Sequence, residues 1–204
     1  MGEQENTTLN LVHKAAMQEF LDKGFKSASL RNIVKIAGVT TGAFYGYYNS
    51  KEDLLEALVG EQYDYIMNRF CKAHQEFADL PPEEQPDHLT DSGACMHDML
   101  VYAYEYLNEF KIILCKSEGT RFSNLIDEMA EIETKGTHDY LEILKRLGRP
   151  SPPIDEQLEH MLITGMFKTF FELIIHEMPL EKAEYYLKEM IAFYTAGWMK
   201  IMGQ

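Results

Sequence analysis

The sequence contains no run of about 18 apolar residues, so no membrane-spanning helix is expected. Its opening residues, MGEQENTTLNLV, lack the basic patch and apolar core of a signal peptide, and no membrane partner is expected. Cysteine is scarce. Cys71, Cys95 and Cys115 are odd in number and lack metal-type spacing, which reads as free thiols in a reducing cytoplasm. Absent too are G-x-S-x-G, the P-loop, H-E-x-x-H and G-x-G-x-x-G, so neither an enzyme nor a bound cofactor is expected. No segment alternates apolar and polar residues between turn signals as a strand does.

A net positive charge is also missing: the formal net charge is −14. DNA affinity comes largely from cations meeting phosphates, so this balance argues against DNA as a partner at first sight. Its distribution reverses the argument. Residues 1–51 carry six Lys and Arg against four Asp and Glu, while the remainder carries 13 against 29. Such asymmetry implies one segment for a polyanion and an acidic body with another task, which repels DNA outside the docking face.

What is present is helical spacing. Leu9, Val12, Ala16 and Phe20 mark one face of a first helix, which Gly24 ends. Ser29 is a good N-cap for a second helix, along which Leu30, Ile33, Val34 and Ala37 fall on one face until Gly38 stops it. Thr40 or Thr41 caps a short third helix to about Tyr47. Asn49 or Ser50 caps a fourth over 50–70, with Glu52 and Asp53 in its first turn. Pro- and acid-rich residues 79–92 read as a loop, and RPSPP at 149–153 as a second break. Helices are expected near 90–108, 110–116, 120–147, 155–176 and 180–202. The fold class is therefore all-α, about nine helices in total. A three-helix DNA-binding domain (1–51, continuing into the connecting helix 50–70) precedes a larger helical bundle (52–204).

Two short helices joined by a Gly turn form a helix-turn-helix, whose second helix enters the major groove. Thr40, Thr41 and Gly42 supply hydroxyls and close backbone approach, and Tyr45 and Tyr47 carry phenols suited to phosphates or base edges. Phe44 and Tyr48 are spaced to face inward. Lys51, at the start of the fourth helix, is placed for a phosphate, and Ser29 and Arg31 for the DNA backbone.

The run SLRNIVKIAGVTTGAFYGYYNSKEDLLEALV resembles the N-terminal domain of TetR-type transcriptional regulators. Ile33, Ala37-Gly38-Val39, Gly42, Phe44-Tyr45, Tyr48, Lys51-Glu52 and Leu54 carry the likeness, with Ala16, Phe20 and Gly24 before them. The specific motifs cover residues 9–60. Three positions depart from the pattern. His13 stands where an apolar residue is usual, and reads as a half-buried, satisfied histidine. Gly46 removes one side chain from the recognition helix, and Tyr47 replaces a frequent His, so the base readout is particular to this chain.

The resemblance implies a body that binds a small molecule and dimerises through two helices per subunit. In the last two helices, Leu158, Leu162, Met166, Tyr186, Met190, Phe193, Tyr194 and Trp198 supply more apolar area than a monomer's outer helices need, which fits a homodimer. Met96, Met99, Tyr102, Tyr106, Phe110, Phe122, Met129, Met166, Phe167 and Phe170 are candidates to line an adaptable pocket for an apolar or aromatic effector, although the same spacing also describes plain core. Glu156 with His160, and Glu172 with His176, are i, i+4 pairs without a third ligand, so no metal is assigned. The expected function is a ligand-responsive regulator, a repressor in the family's usual mode. It would bind a palindromic operator as a dimer and be released by a small molecule. The alternative is a ligand-independent DNA-binding architectural or division-control protein.

Overall fold

The computed structural model describes residues 2–89 and 92–203. The described residues form nine α-helices and no strand: α1 (Gly2–Ser27), α2 (Leu30–Ala37), α3 (Thr41–Tyr45), α4 (Lys51–Ala78), α5 (Ser92–Glu105), α6 (Leu107–Cys115), α7 (Leu125–Arg146), α8 (Glu156–Ile175) and α9 (Leu180–Met202). Short 3₁₀ turns occupy Gln85–His88 and Arg121–Asn124.

The helix boundaries follow from local chemistry. Gly24 adopts φ 73°, ψ 161°, which breaks α1 where the sequence placed its stop; residues 25–27 form a further turn beyond it. The Ser29 Oγ accepts from the Asn32 N–H and caps α2. Gly38 takes the left-handed conformation at φ 68°, and the Val39 N–H closes back onto the Val34 carbonyl at 3.0 Å. The Thr40 Oγ1 accepts from the Ala43 N–H at 3.1 Å, which settles the choice between the two threonines. At α4, the Ser50 Oγ accepts from the Asp53 N–H at 2.9 Å, while the Asp53 carboxylate accepts from the Asn49 N–H at 3.1 Å. The arrangement is like a capping box, except that Asp53 reaches back to Asn49 and not to Ser50; the Asn49 side-chain amide, with the other hydrogen bonds, holds the Asp53 carboxyl below its ordinary value. The Asp155 carboxylate accepts from the N–H groups of Gln157 and Leu158 and starts α8.

Several boundaries differ from the sequence expectation: α5 ends at Glu105 rather than 108, α6 starts at Leu107 rather than 110, and α7 starts at Leu125 rather than 120. α4 continues to Ala78 rather than to about residue 70. The loop expected over 79–92 holds a 3₁₀ turn and is followed to residue 89; residues 90 and 91 lie outside the described residues.

The helices sort into two compact units. The first combines Met1–Asp64 with Tyr106–Leu125; the second combines Tyr65–Glu105 with Ile126–Gln204. Residues 106–125 thus pack with the N-terminal helices, although sequence placed them in the body. A backbone pair is one of the links: the Phe25 N–H, freed by the break at Gly24, donates to the Lys116 carbonyl at 2.6 Å, and Phe122 meets Tyr63 edge-on with centroids 5.3 Å apart. Arg121 reinforces this unit. Its Nε donates to Glu56 at 2.9 Å and its Nη1 to Asp64 at 3.3 Å, and its guanidinium lies over the Tyr63 and Phe122 rings. The Arg121 hydrogen bond holds the Glu56 carboxyl below its ordinary value.

In the second unit, α8 turns Ile163, Phe167, Phe170, Phe171 and Ile174 inward, all fully buried. Phe70 of α4 meets Phe167 edge-on, with centroids 5.4 Å apart. The Tyr104 hydroxyl reaches the carbonyls of Leu173 and Met178 and ties α5 to the end of α8. A second cluster joins Tyr140, Leu144 and Met202, with Phe77 and Trp198 packed against it.

Candidate nucleic-acid interface

The helix-turn-helix is built on the buried faces of three helices. Phe20 and Val12 of α1, Ile33 of α2 and Phe44 of α3 are fully buried. Each such side chain contributes roughly 1.5–3 kcal/mol relative to exposure. This core orients the opposite faces outward. Ser29, Arg31, Thr40, Thr41, Gly42, Tyr45 and Tyr47 are all exposed, Tyr45 by 55%. Tyr45 meets Phe44 edge-on, with centroids 5.4 Å apart, while most of the residue stays open. Phe44 and Tyr48 turn inward as their spacing predicted, with Phe44 at 0% exposure and Tyr48 half-buried.

Lys51 departs from expectation. Its ammonium donates to the Phe25 carbonyl at 2.6 Å and to the Ala28 carbonyl at 3.0 Å, and it sits 4.4 Å from the centroid of the Phe25 ring. The Phe25 carbonyl, in the turn beyond Gly24, accepts from the Ala28 N–H at 3.3 Å, and Lys51 adds a charged donor to it and to the Ala28 carbonyl. It bolts α4 to the α1–α2 connection instead of reaching outward for a phosphate.

Two further side chains support this unit: Glu19, which sequence reasoning missed, and His13. Glu19 is 2% exposed and accepts from Lys23 at 2.8 Å, from the Ser29 N–H at 3.0 Å and from the Asn32 amide at 2.5 Å. Burial pushes its carboxyl up, but these hydrogen bonds outweigh burial and leave it below its ordinary value. A glutamate among apolar positions of α1 was the available signal. His13 shares a hydrogen bond with the Tyr48 hydroxyl and is half-buried, as anticipated for a satisfied histidine. Burial lowers the His13 pKa and raises that of Tyr48, so both groups are held neutral.

Residues 13–58 match the family described as bacterial regulatory proteins, tetR family. Over these residues the chain is similar to the TetR family. Its relatives are transcriptional regulators. It is 37% identical over 59 residues to YuxN, an uncharacterised HTH-type transcriptional regulator of Bacillus subtilis, covering 29% of this chain and 20% of that one. It is 26% identical over 105 residues to the regulator TtgR of Pseudomonas putida, covering 52% of this chain and 45% of TtgR. The chain thus spans less than half the length of these relatives. Its fold follows that of a TerR/AcrR-family regulator from Aquifex aeolicus, with TM-score 0.57 and 20% identity over 91% of this chain and 98% of the other.

The residues expected to line an effector pocket divide between the two units. Tyr106, Phe110 and Phe122 belong to the first unit, and Met96, Met99, Tyr102, Met129, Met166, Phe167 and Phe170 to the second. Met99, Phe110, Met129, Phe167 and Phe170 are 0% exposed, and Phe122 is 2% exposed. Neither of two cavities found in the second unit is lined by any of the ten. Tyr102 instead stacks on Tyr65 with centroids 3.6 Å apart. Helical periodicity reports which side chains turn inward, and does not separate core from cavity wall.

The residues assigned to an intersubunit face are distributed differently. Phe193 is 74% exposed, Leu158 42% and Tyr186 38%, and Met161 beside them 62%. Leu162, Met166, Met190 and Tyr194 are partly exposed. Trp198 is partly buried within its own chain against the Tyr140–Leu144–Met202 cluster. Gly165 and Gly197 both have open space where a Cβ would stand. No described helix is long and apolar enough to cross a membrane.

Proposed function

We propose that this chain is a ligand-responsive transcriptional repressor. It binds a palindromic operator as a homodimer in the cytoplasm and leaves it when a small molecule binds the body. The observation that carries this reading is the exposed polar and aromatic face of Arg31, Thr40, Thr41, Tyr45 and Tyr47 on a buried three-helix core. Thr40 also caps α3, and each of these side chains is of a type that meets phosphates or base edges. Residues 1–51 are the DNA-binding domain, and residues 52–204 serve ligand and dimer.

The exposed apolar face supports dimerisation. On α8, Leu158, Met161, Leu162, Gly165, Met166 and Thr169 recur at helical spacing, and α9 adds Tyr186, Met190, Phe193, Tyr194 and Gly197. On a twofold axis these faces pair into a four-helix bundle, with the glycines permitting close approach. Regulation is a population shift: operator and effector favour different separations of the two recognition helices, so each weakens the other by the same factor. Operator binding by wild type and by Tyr45→Ala tests the reading. Loss of affinity in the variant at an unchanged unfolding temperature supports it, and equal affinity contradicts it.

A second reading is a DNA-binding protein that takes no ligand. The fully buried state of Met99, Phe110, Phe167 and Phe170, which leaves these side chains as core, favours it.

A further inference from the structure

α8 carries an acidic anomaly. Its inward face runs Ile163, Phe167, Phe170, Phe171 and Ile174, and the position one turn before Ile163 on that face is Glu159. Glu159 is 2% exposed, as buried as the apolar residues that follow it. One carboxylate oxygen accepts from the His138 Nε2 at 2.8 Å; the other, Oε1, is buried without a hydrogen-bond partner. A buried carboxylate oxygen left unpaired is costly, so its retention points to a partner that arrives from outside.

The surroundings say what that partner is. Glu159 lines an open cleft of about 960 Å³ between α7 and the first turns of α8. Asp127, Glu131, Asp139 and Glu156 line it too, with Lys135 as the one Lys or Arg among its lining residues. Asp127, Glu131, Lys135 and Asp139 follow one another at four-residue steps along one face of α7, so charge recurs at each turn, about every 5–6 Å. From Asp127 to Asp139 this row extends about 18 Å. No group of three or more His, Cys, Asp or Glu among the described residues is arranged to hold a metal ion. The lining offers Ala130 and Thr134 and, apart from the imidazoles of His138 and His160, no aromatic ring, so a flat lipophilic cation finds no Phe, Tyr or Trp face to stack on.

We infer that this cleft binds an aliphatic polyamine, with one ammonium on Glu159 Oε1 and further ammoniums on the α7 carboxylates. Its methylene segments lie over Ala130 and Thr134, and its length follows the row of charge. Taking this polyamine as the effector rests on the regulator reading above; binding in the cleft does not. The cleft uses the side of α8 that faces the core, opposite the exposed face of Leu158, Leu162 and Gly165, so the dimer leaves it open.

The test is calorimetric titration of the full chain with spermidine in about 150 mM salt, where exposed charges further apart than about 8 Å are largely screened. Wild type should bind one spermidine per chain. Glu159→Gln should weaken binding at least tenfold, and Glu131→Gln and Asp139→Asn severalfold. Glu83→Gln, an exposed loop carboxylate outside the cleft, should leave it unchanged. If Glu159→Gln loses its circular dichroism signal, the two exposed cleft variants decide. Equal affinity in all variants means diffuse attraction to an acidic protein and overturns the site, as does the absence of binding. Displacement of spermidine by equimolar magnesium assigns the cleft to a metal cation and also overturns it. Release of operator DNA by spermidine in wild type, lost in Glu159→Gln, supports the effector role and excludes polyamine acting on the duplex alone. Cleft binding with unchanged operator affinity overturns the effector role only. Cleft binding by a chain that binds no DNA overturns the regulator reading and leaves the site standing.

Discussion

Lys51 Nζ donates to the Phe25 carbonyl at 2.6 Å while lying 4.4 Å from the centroid of the same residue's ring. One side chain thus fastens the start of α4 to the end of α1. Replacing Lys51 by Met keeps the apolar stem and removes the charge. This change should destabilise the fold by about 1.5–3 kcal/mol, the scale of charge-assisted hydrogen bonds. Chemical denaturation measures it. A phosphate ligand would behave differently: stability would be unchanged, and the salt dependence of operator binding would fall by about one charge.

The His13–Tyr48 pair should make the helix-turn-helix unit sensitive to mild acid. Burial lowers the folded-state pKa of His13 below its ordinary 6.5. Below that value the unfolded chain takes up a proton that the folded chain resists. The contribution of His13 is therefore complete above about pH 6.5 and is lost as pH falls from there toward the lowered folded value. The unfolding free energy of wild type should drop more steeply between pH 7.5 and 5.5 than that of His13→Gln. Parallel curves would show that His13 titrates alike in both states.

Glu19 has a lowered folded-state pKa, and its sign of action is the acid one. Its stabilisation is present above the ordinary glutamate value and is lost as pH falls through the folded value. Glu19→Ala should cost about 2–4 kcal/mol at neutral pH, because it leaves the Asn32 amide and the Ser29 N–H without their acceptor. It should also flatten the acid limb of the stability curve. A loss below 0.5 kcal/mol would mean that water replaces the carboxylate at little cost.

Phe193, 74% exposed in the single chain, is the most open large apolar side chain of α9. Phe193→Glu places a charge in the proposed intersubunit face without disturbing the chain's own core. Sedimentation should find wild type dimeric and the variant monomeric at micromolar concentration, with helical content retained. A dimeric variant, or a monomeric wild type, would remove α8 and α9 from the interface.

Much of this was legible in sequence, for identifiable reasons. The caps at Ser29 and Thr40 and the glycines at 24 and 38 are local signals, and they fell where expected. The all-helical class followed from spacing alone. Three features were not legible. Lys51 looked like a phosphate ligand because nothing local reveals that the Phe25 and Ala28 carbonyls lie within reach of its ammonium. Residues 106–125 join the first unit through the Phe25–Lys116 backbone pair and through Arg121 and Phe122, whose partners Glu56, Asp64 and Tyr63 lie more than 50 residues away in sequence. Met99 and Phe167 have the spacing of a pocket wall and are core, because inward orientation is common to both. Glu159 shows the same limit from the other side. Its place on the inward face of α8 is readable from spacing, but its unpartnered oxygen is a three-dimensional fact.

The central claim, that the exposed face over Ser29–Tyr47 reads DNA, is tested most directly by fluorescence anisotropy on the duplex upstream of the chain's own gene. Wild type, Tyr45→Ala and Arg31→Ala are titrated at several salt concentrations, and their unfolding is measured in parallel. Both variants should bind more weakly by about 1–3 kcal/mol, and Arg31→Ala should lower the salt slope by about one charge, with stability unchanged. Wild-type affinity and slope in both variants would contradict the account.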